Sequence, residues 1–434
     1  MLIVSLFRFV NFYIDLNKYL LRFYFQNREG LAYIRNRQFK QIINYAYTKI
    51  PFYRDSIVSS NIDLKKIDGL KQIKHLPTTD AEDLFFRQER MSDYKNRQYI
   101  TLRSSGTTGS PKDVILSYFD WFYLRRLAYL RMFFTSGCSV FHKTLFLSSQ
   151  MPYSAAKPRW FQRLGAMRVK SIHTNNLDRK IADFFNQYQP DVFHCLTADG
   201  VILADLINSS TKRMHRAKYL FTSGEILTEK DKQKMTDNLG NRIIDFYANT
   251  EAGIIAWQCG TSGNYHINAD QIYVEIMDGE RVCDDGEVGE VVITTLAPFS
   301  LPLIRYRTGD MAAVEHGRCK CGSWFPRLAQ IKGRKNDFLV SSNGARISPY
   351  LLMSTMDKFE EVLRYSIHQN SLNDYTIYLK LNKLQENASL AKEQLRNRYS
   401  KIFGPKSSIM FADFSESPLP GASIKRKIIN LDIK

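Results

Sequence analysis

The sequence predicts an α/β protein. It has a large N-terminal domain of βαβ-type sheets with a smaller antiparallel β portion, then a small C-terminal α+β domain. Three observations predict this. Short apolar runs alternate with helical stretches between residues 143 and 247. Asp-Gly and Gly turn signals separate β-rich runs between 270 and 297. After residue 333 the pattern changes again, to two strand-like runs, a charged helix and a last strand.

The elements follow in order. The opening stretch, MLIVSLFRFVNFYIDLNKYLLRFYF, is apolar and aromatic, but Arg8, Asp15, Lys18 and Arg22 interrupt it. No uninterrupted span reaches the roughly 18 residues a membrane helix needs, and no small-residue cleavage site marks a signal peptide. An amphipathic helix packed on the core is expected, with an interfacial helix touching a membrane surface as the alternative. Residues 33–49 read as a helix stopped by Pro51, and 119–134 as a helix dense in aromatics and arginine. The strand-type runs 143–149, 191–196, 218–223 and 242–247 are separated by helical stretches at 178–188, 199–208 and 228–239. That spacing indicates βαβ units and a largely parallel sheet. The runs IYVEIMDGERV and GEVGEVVITTL read as antiparallel hairpins. EEVLRYSIHQ and DYTIYLKLN read as strands, 385–402 as a helix and SSIMFADF as a strand. The domain boundary is placed near Gly333-Arg334, giving domains 1–333 and 334–434.

The chain has 434 residues, 44% hydrophobic and 24% charged, which suits two or three globular domains rather than disorder. Its formal charge of +18 suits polyanions such as nucleotides, CoA or an anionic membrane face. No RNP, helix-turn-helix or finger-spaced motif is present, so no nucleic acid partner is expected. Six cysteines in a chain this long make no disulfide scaffold, and a reducing cytoplasm is expected, with attachment at the inner membrane face as the alternative. Cys138, Cys195 and Cys283 read as packing residues.

The strongest motif is Ser104-Ser105-Gly106-Thr107-Thr108-Gly109-Ser110-Pro111-Lys112, preceded by the strand-like YITLR. Its glycines allow close backbone approach. Its hydroxyls and N–H groups can bind phosphate oxygens, and Lys112 adds a positive charge. It is no Walker A loop, because Pro111 precedes the lysine and Asp113 follows it.

This loop resembles the phosphate-binding loop of the adenylate-forming (ANL) superfamily, and further motifs follow in that family's order along nearly the whole chain. Thr222-Ser223-Gly224-Glu225 resembles the adenine-contacting turn. Tyr247-Ala248-Asn249-Thr250-Glu251 is similar to a segment whose aromatic stacks on adenine, whose Thr contacts phosphate and whose Glu holds Mg²⁺. A carboxylate oxygen suits that hard cation, although Glu251 alone could be a solvated loop acid. Tyr306-Arg307-Thr308-Gly309-Asp310 resembles the segment whose Asp accepts from both ribose hydroxyls. Gly333-Arg334-Lys335-Asn336-Asp337 resembles the hinge between the large domain and a small mobile one, with Asn336 where the family has Asp or Lys. Pro418–Arg426 resembles the loop of the adenylation lysine. Lys425 is expected to be that lysine, with Lys427 the competing register and a basic tail the plain alternative. Ile424 replaces the usual Gly before it.

The resemblance implies ATP and Mg²⁺ as cofactors and a carboxylic acid as substrate. Lys112 and the loop would hold the β/γ phosphates, and Lys425 would bridge carboxylate and α-phosphate. Catalysis would be positioning plus charge stabilisation. The acyl pocket is expected around His194, Thr197, Ala198 and Ala248, each of which could equally be core.

Cys319-x-Cys321 sits in a Gly-rich loop, and Cys259 and His266 lie upstream. Together they make a Cys₃His set of the structural zinc type. The local match (LPLIRYRTGD, Cys-x-Cys-Gly, Pro-Arg-Leu, Gly-Arg) resembles the branch of phenylacetate–CoA ligases and CapK-like capsule-biosynthesis proteins, some of which carry such cysteines, and this raises the case for zinc. The expected acceptor is CoA. The alternatives are an amine acceptor in capsule or O-antigen polysaccharide tailoring, and a non-catalytic nucleotide binder, which only Ile424 and Asn336 favour.

Overall fold

The structure is a computed structural model. It describes residues 2–86, 98–103, 113–148, 160–173, 179–208, 215–297, 300–359, 361–381, 388–418 and 429–431. Four helices come first: α1 (Leu2–Phe25), α2 (Arg28–Lys49), α3 (Pro51–Ser59) and α4 (Ala81–Phe86). The expected helix at 33–49 begins earlier, because the Asn27 side chain accepts from the Gly30 N–H at 2.8 Å and caps it. Pro51 ends α2 as predicted and then opens α3 from the first helical position, where its missing N–H costs nothing.

Strands β1 (Tyr99–Arg103) and β2 (Asp113–Ser117) form an antiparallel pair. A π-type turn at Asp120–Leu124 then leads into α5 (Arg125–Thr135). Asp120 is buried and accepts from the Ser300 backbone N–H at 2.7 Å.

The alternating region follows as β3 (Thr144–Ser148), α6 (Trp160–Arg163), β4 (Val169–His173), α7 (Arg179–Tyr188), β5 (Val192–Leu196), α8 (Thr197–Asn208), β6 (Ala217–Ser223), α9 (Glu229–Asn238) and β7 (Gly240–Asn249). Next come β8 (Gly253–Gln258), β9 (Tyr265–Ile267), β10 (Ile272–Asp278), β11 (Arg281–Val282), β12 (Gly289–Thr295), β13 (Tyr306–Glu315) and β14 (Arg327–Arg334). The predicted parallel and antiparallel portions are one continuous sheet. Among the described residues it has 12 strands, ordered β11-β10-β12-β13-β14-β9-β8-β7-β6-β5-β3-β4. Pairing is parallel from β4 to β7 and antiparallel from β7 outward.

The remaining residues form β15 (Leu339–Val340), β16 (Arg346–Ile347), α10 (Pro349–Met356), β17 (Val362–Gln369), β18 (Asp374–Leu381), α11 (Ala388–Phe403), β19 (Ser408–Asp413) and β20 (Ile429–Leu431). Their four-stranded sheet runs β19-β18-β17-β20. Leu352, Ile367, Ile377, Leu395 and Phe403 give it a buried core of its own.

The large sheet carries apolar layers on both faces. Phe193, Leu220 and Met235 pack under α7–α9. Phe39, Ile43, Trp257, Ile293 and Phe325 belong to the larger core that includes α2. Through that core runs an ion pair with no solvent exposure. Arg131 donates from Nη1 and Nη2 to the two Asp270 oxygens at 2.6 and 2.9 Å, and from Nη1 to Asn268 Oδ1 at 2.6 Å. Arg22 of α1 reaches the same Asp270 at 3.3 Å.

Removing one partner strands a buried charge, so Arg131→Met is expected to lower stability by about 3–5 kcal/mol. R131M/D270L should recover most of that loss. Urea unfolding of the three proteins checks this, and a single-variant loss below about 1 kcal/mol would refute it.

Candidate active site

Parallel strands end at a common edge, and the segments that leave that edge are brought together. β6 ends at Ser223, beside Phe246 of β7 in register, and Gly224 and Glu225 follow. β7 carries Tyr247 and Ala248 and ends at Asn249. The chain then reverses through Thr250 and Glu251 into β8.

That reversal is held from two sides. The Asn249 Oδ1 accepts from the Ala252 N–H at 2.7 Å. The Arg125 guanidinium donates to the Thr250 carbonyl oxygen and, at 3.3 Å, to that of Glu251. Gly253 takes φ +80, and a Cβ there would meet the Arg125 Cγ at 3.1 Å. Only a glycine lets Arg125 lie across this turn.

Asp310 arrives from β13. Tyr247 donates its hydroxyl to Asp310 Oδ2 at 2.6 Å and to Thr308 Oγ1 at 3.3 Å. Arg334 on β14 is the direct cross-strand partner of Asp310, with Nε 3.7 Å from Oδ1. Burial lifts the Tyr247 phenol well above its ordinary range, and the Asp310 charge adds to this. Burial also raises the half-buried Glu251 carboxyl, against the opposing pull of Arg125 and Arg334. The structure thus gathers the predicted Tyr247, Glu251, Asp310 and Arg334 at one polar edge of the large sheet, a set of groups that suits a diol and a metal-bound phosphate.

Asn336 falls in the short turn Lys335–Asp337 that follows β14. The Lys335 ammonium is held by Glu290 at 3.1 Å. Gly333, at φ +99, packs where a Cβ would meet Ile226 at 3.0 Å and Pro349 at 3.1 Å. The segment after the Thr222–Glu225 turn, the start of α10 and the expected hinge therefore meet at one glycine.

The predicted loop residues Ser104, Ser105, Gly106, Thr107, Thr108, Gly109 and Lys112 lie outside the described residues, as do Lys425 and Lys427. The strands flanking the loop are described. They close on it as a hairpin whose last register pair is Arg103 with Asp113.

Of the predicted acyl-pocket residues, His194 on β5 stacks on Phe146 with ring centroids 4.8 Å apart and lies 5.2 Å from Phe246 and 5.8 Å from Tyr129. Burial pushes its imidazole down to about 3, so the ring is neutral. His194 Nε2, Tyr129 OH and Thr197 Oγ1 are buried without a hydrogen-bond partner among the described residues. Thr197 and Ala198 are buried at the start of α8, and Ala248 is partly buried against the core.

Cys259, His266, Cys319 and Cys321 converge from β8, β9 and the β13–β14 loop, with donor atoms all within 4.8 Å of one another. The Cys259 and Cys319 sulfurs are 3.9 Å apart, and His266 Nε2 is 3.2 Å from the Cys321 sulfur. The His266 Nδ1 faces the Phe325 carbonyl at 3.2 Å, which suits an Nδ1–H tautomer with Nε2 free to ligate. All but Cys321 are buried.

Two polar elements had no sequence signal. Arg125 and Arg126 are neighbours in an arginine-rich helix, and only the fold turns one onto Glu251 and the other over the Phe122 ring. Asp245 is buried beneath the Thr222 turn. It accepts from Thr222 Oγ1 at 2.9 Å and Tyr265 OH at 2.7 Å, and burial pushes it up to about 7.

Comparison with known proteins gives the family. Residues 59–299 match the family model described as AMP-binding enzyme. The chain is 24% identical over 353 residues to a phenylacetate–coenzyme A ligase of Thermus thermophilus, covering 77% of each. It is 22% identical over 413 residues to protein CapK of Staphylococcus aureus, covering 92% of this chain and 88% of that one. Its fold matches a 2-hydroxyisobutyryl-CoA ligase in the postadenylation state with a TM-score of 0.78 at 17% identity, covering 95% of this chain and 91% of that chain. The chain therefore belongs to the AMP-binding enzyme family, on the branch that holds the phenylacetate–coenzyme A ligases and CapK.

Proposed function

We propose that this enzyme activates a carboxylic acid with ATP as an acyl-adenylate and passes the acyl group to CoA. The observation that carries the reading is the Tyr247–Asp310–Arg334 arrangement beside Glu251. Asp310 accepts from the Tyr247 hydroxyl and lies beside the Arg334 guanidinium, and a carboxylate, with two acceptor oxygens, suits a ribose diol. A substrate carboxylate oxygen attacks the α-phosphorus of ATP, and pyrophosphate leaves with the electron pair of the broken P–O bond. The CoA thiol, losing its proton, then attacks the acyl carbon and AMP departs.

The chain's own residues position and stabilise charge. Tyr247 would stack on adenine, while Ser223, Gly224 and Glu225 line its edge. Asn249 and Arg125 would fix the turn that presents Thr250 to phosphate. Glu251 is the residue that would hold Mg²⁺, which offsets phosphate charge when bound. The Ser104–Gly109 loop and Lys112 would cradle the outer phosphates, and Lys425 would meet the α-phosphate. The CoA acceptor is supported by the phenylacetate–coenzyme A ligase relative.

The separate core of residues 339–409 and the turn at Lys335–Asp337 support a lid that begins near Arg334 and pivots at Asn336. The Cys₃His cluster fits zinc. Ligand sulfurs about 2.3 Å from a tetrahedral ion lie just under 4 Å from each other, close to the 3.9 Å of Cys259 and Cys319. Zinc would tie the β13–β14 loop to β8 and β9.

ATP–pyrophosphate exchange over a panel of aromatic, short and fatty acids tests adenylation. One acid should drive exchange, Lys425→Ala should abolish it, and Asp310→Ala should raise the KM for ATP about tenfold or more. AMP release that needs CoA would fix the acceptor, and release driven instead by an amine would overturn it.

Because Glu251 keeps its proton to higher pH than an ordinary glutamate, Mg²⁺ must compete with that proton. The Mg²⁺ concentration for half-maximal exchange should therefore rise with falling pH at higher pH than an ordinary glutamate would cause. Glu251→Gln should lose this pH dependence along with roughly 100-fold of the rate. A Mg²⁺ requirement whose pH dependence is the same in Glu251→Gln would count against Glu251 as the ligand.

Metal analysis of the purified protein should find about one zinc per chain. Cys259→Ser should lose it and melt at lower temperature. A full-strength melt after exhaustive chelation would refute the site.

A further inference from the structure

Helix α1 is apolar on two sides. Its inner face is anchored. Leu16 is buried with Phe12, Tyr19 and Leu20 against Leu127 and Leu130 of α5. Phe23 lies 5.1 Å from His266, 5.4 Å from Phe325 and 5.5 Å from Trp257, and Arg22 reaches the buried Asp270. A helix held this way normally shows water a charged outer face.

Here the outer face carries Tyr13 (60% exposed), Ile14 (44%), Leu21 (54%), Tyr24 (49%) and Phe25 (79%). Positions 14, 18, 21 and 25 fall in one stripe, with 13, 17 and 24 beside it. Among the described side chains Lys18 is the basic one on this face, and Asp15 at its margin pairs with it at 3.7 Å. Aromatic residues also flank the inner face. Phe12 packs edge-on to Tyr123 at 5.2 Å, and Tyr123 stacks on the exposed Phe119 at 4.8 Å. Arg126 lies over the neighbouring Phe122 at 4.8 Å.

Among the described residues no helix is long and apolar enough to cross a membrane. A helix about 36 Å long that is locked along one side can instead lie flat. Tyrosine and phenylalanine suit the depth of lipid headgroups, where a ring is buried and a hydroxyl stays wet. The chain's charge of +18 attracts an anionic surface and repels a second copy.

We propose that α1 docks this protein on the surface of an anionic lipid bilayer, lying in the membrane plane with Tyr13, Ile14, Leu21, Tyr24 and Phe25 among the headgroups. This does not rest on the adenylation reading, since none of these residues belongs to that site.

The test is sedimentation of the full chain with phosphatidylglycerol/phosphatidylethanolamine vesicles and with pure phosphatidylcholine vesicles, at low and high salt. The protein should pellet with the anionic vesicles and be released as salt rises. L21E/Y24E/F25E should weaken binding about tenfold or more, with melting temperature and ATP–pyrophosphate exchange unchanged. Equal pelleting of the triple variant would overturn the proposal, as would equal binding to both lipids or no pelleting at all. A solution dimer that the triple variant dissociates, without vesicle binding, would assign the face to a second copy instead.

Discussion

The change of strand direction between β7 and β8 is the constraint on which the candidate site depends. Every strand from β4 to β7 runs parallel, so their carboxyl ends share one edge. The chain could have crossed over once more. Instead it doubles back at Asn249–Gly253, and all later pairing in the large sheet is antiparallel. Strands that return along the sheet bring Asp310 and Arg334, in direct register, back to the edge where Tyr247 ends its run. The turn is tight because one guanidinium takes two successive carbonyls that the sheet ladder leaves unmatched.

Charge at this edge is balanced rather than merely present. Glu251 and Asp310 are the acids, and Arg125 and Arg334 the bases that act on Glu251. In a setting of low dielectric, each removal would expose the others to uncompensated repulsion or attraction. Burial lifts Glu251, while Arg125 and Arg334 oppose the lift.

The strand and helix order was legible in the sequence because each element carries its own periodicity. The hairpin turns at Asp278-Gly279 and the alternating runs from 143 to 247 are local signals. The zinc-type set was legible too, since chemistry limits which residues can ligate, and Cys259, His266, Cys319 and Cys321 do converge. What local patterns do not carry is pairing at a distance. Nothing near Arg131 announces Asp270, 139 positions away, and nothing distinguishes Arg125 from Arg126 before the helix is laid on the sheet. The fusion of parallel and antiparallel portions into one sheet is likewise a long-range event. Pro51 shows a subtler limit, for a residue that ends one helix is equally suited to begin the next.

Helix α1 links the features that the active site leaves unexplained. Phe23 rests on the ring of His266, so the edge of the Cys₃His cluster is also part of the floor beneath the helix. Arg22 shares Asp270 with Arg131, so the helix also completes the most deeply buried ion pair among the described residues. Three independent attachments — aromatic, ionic and aliphatic — hold one side of a single helix. A segment that only had to shield the core would need no aromatic residues on its other side, because exposed apolar area there lowers solubility without adding to burial. Firm anchoring of the inner face is what allows the outer face to remain apolar: the helix cannot roll inward to hide Tyr24 and Phe25, and a further surface is left to cover them.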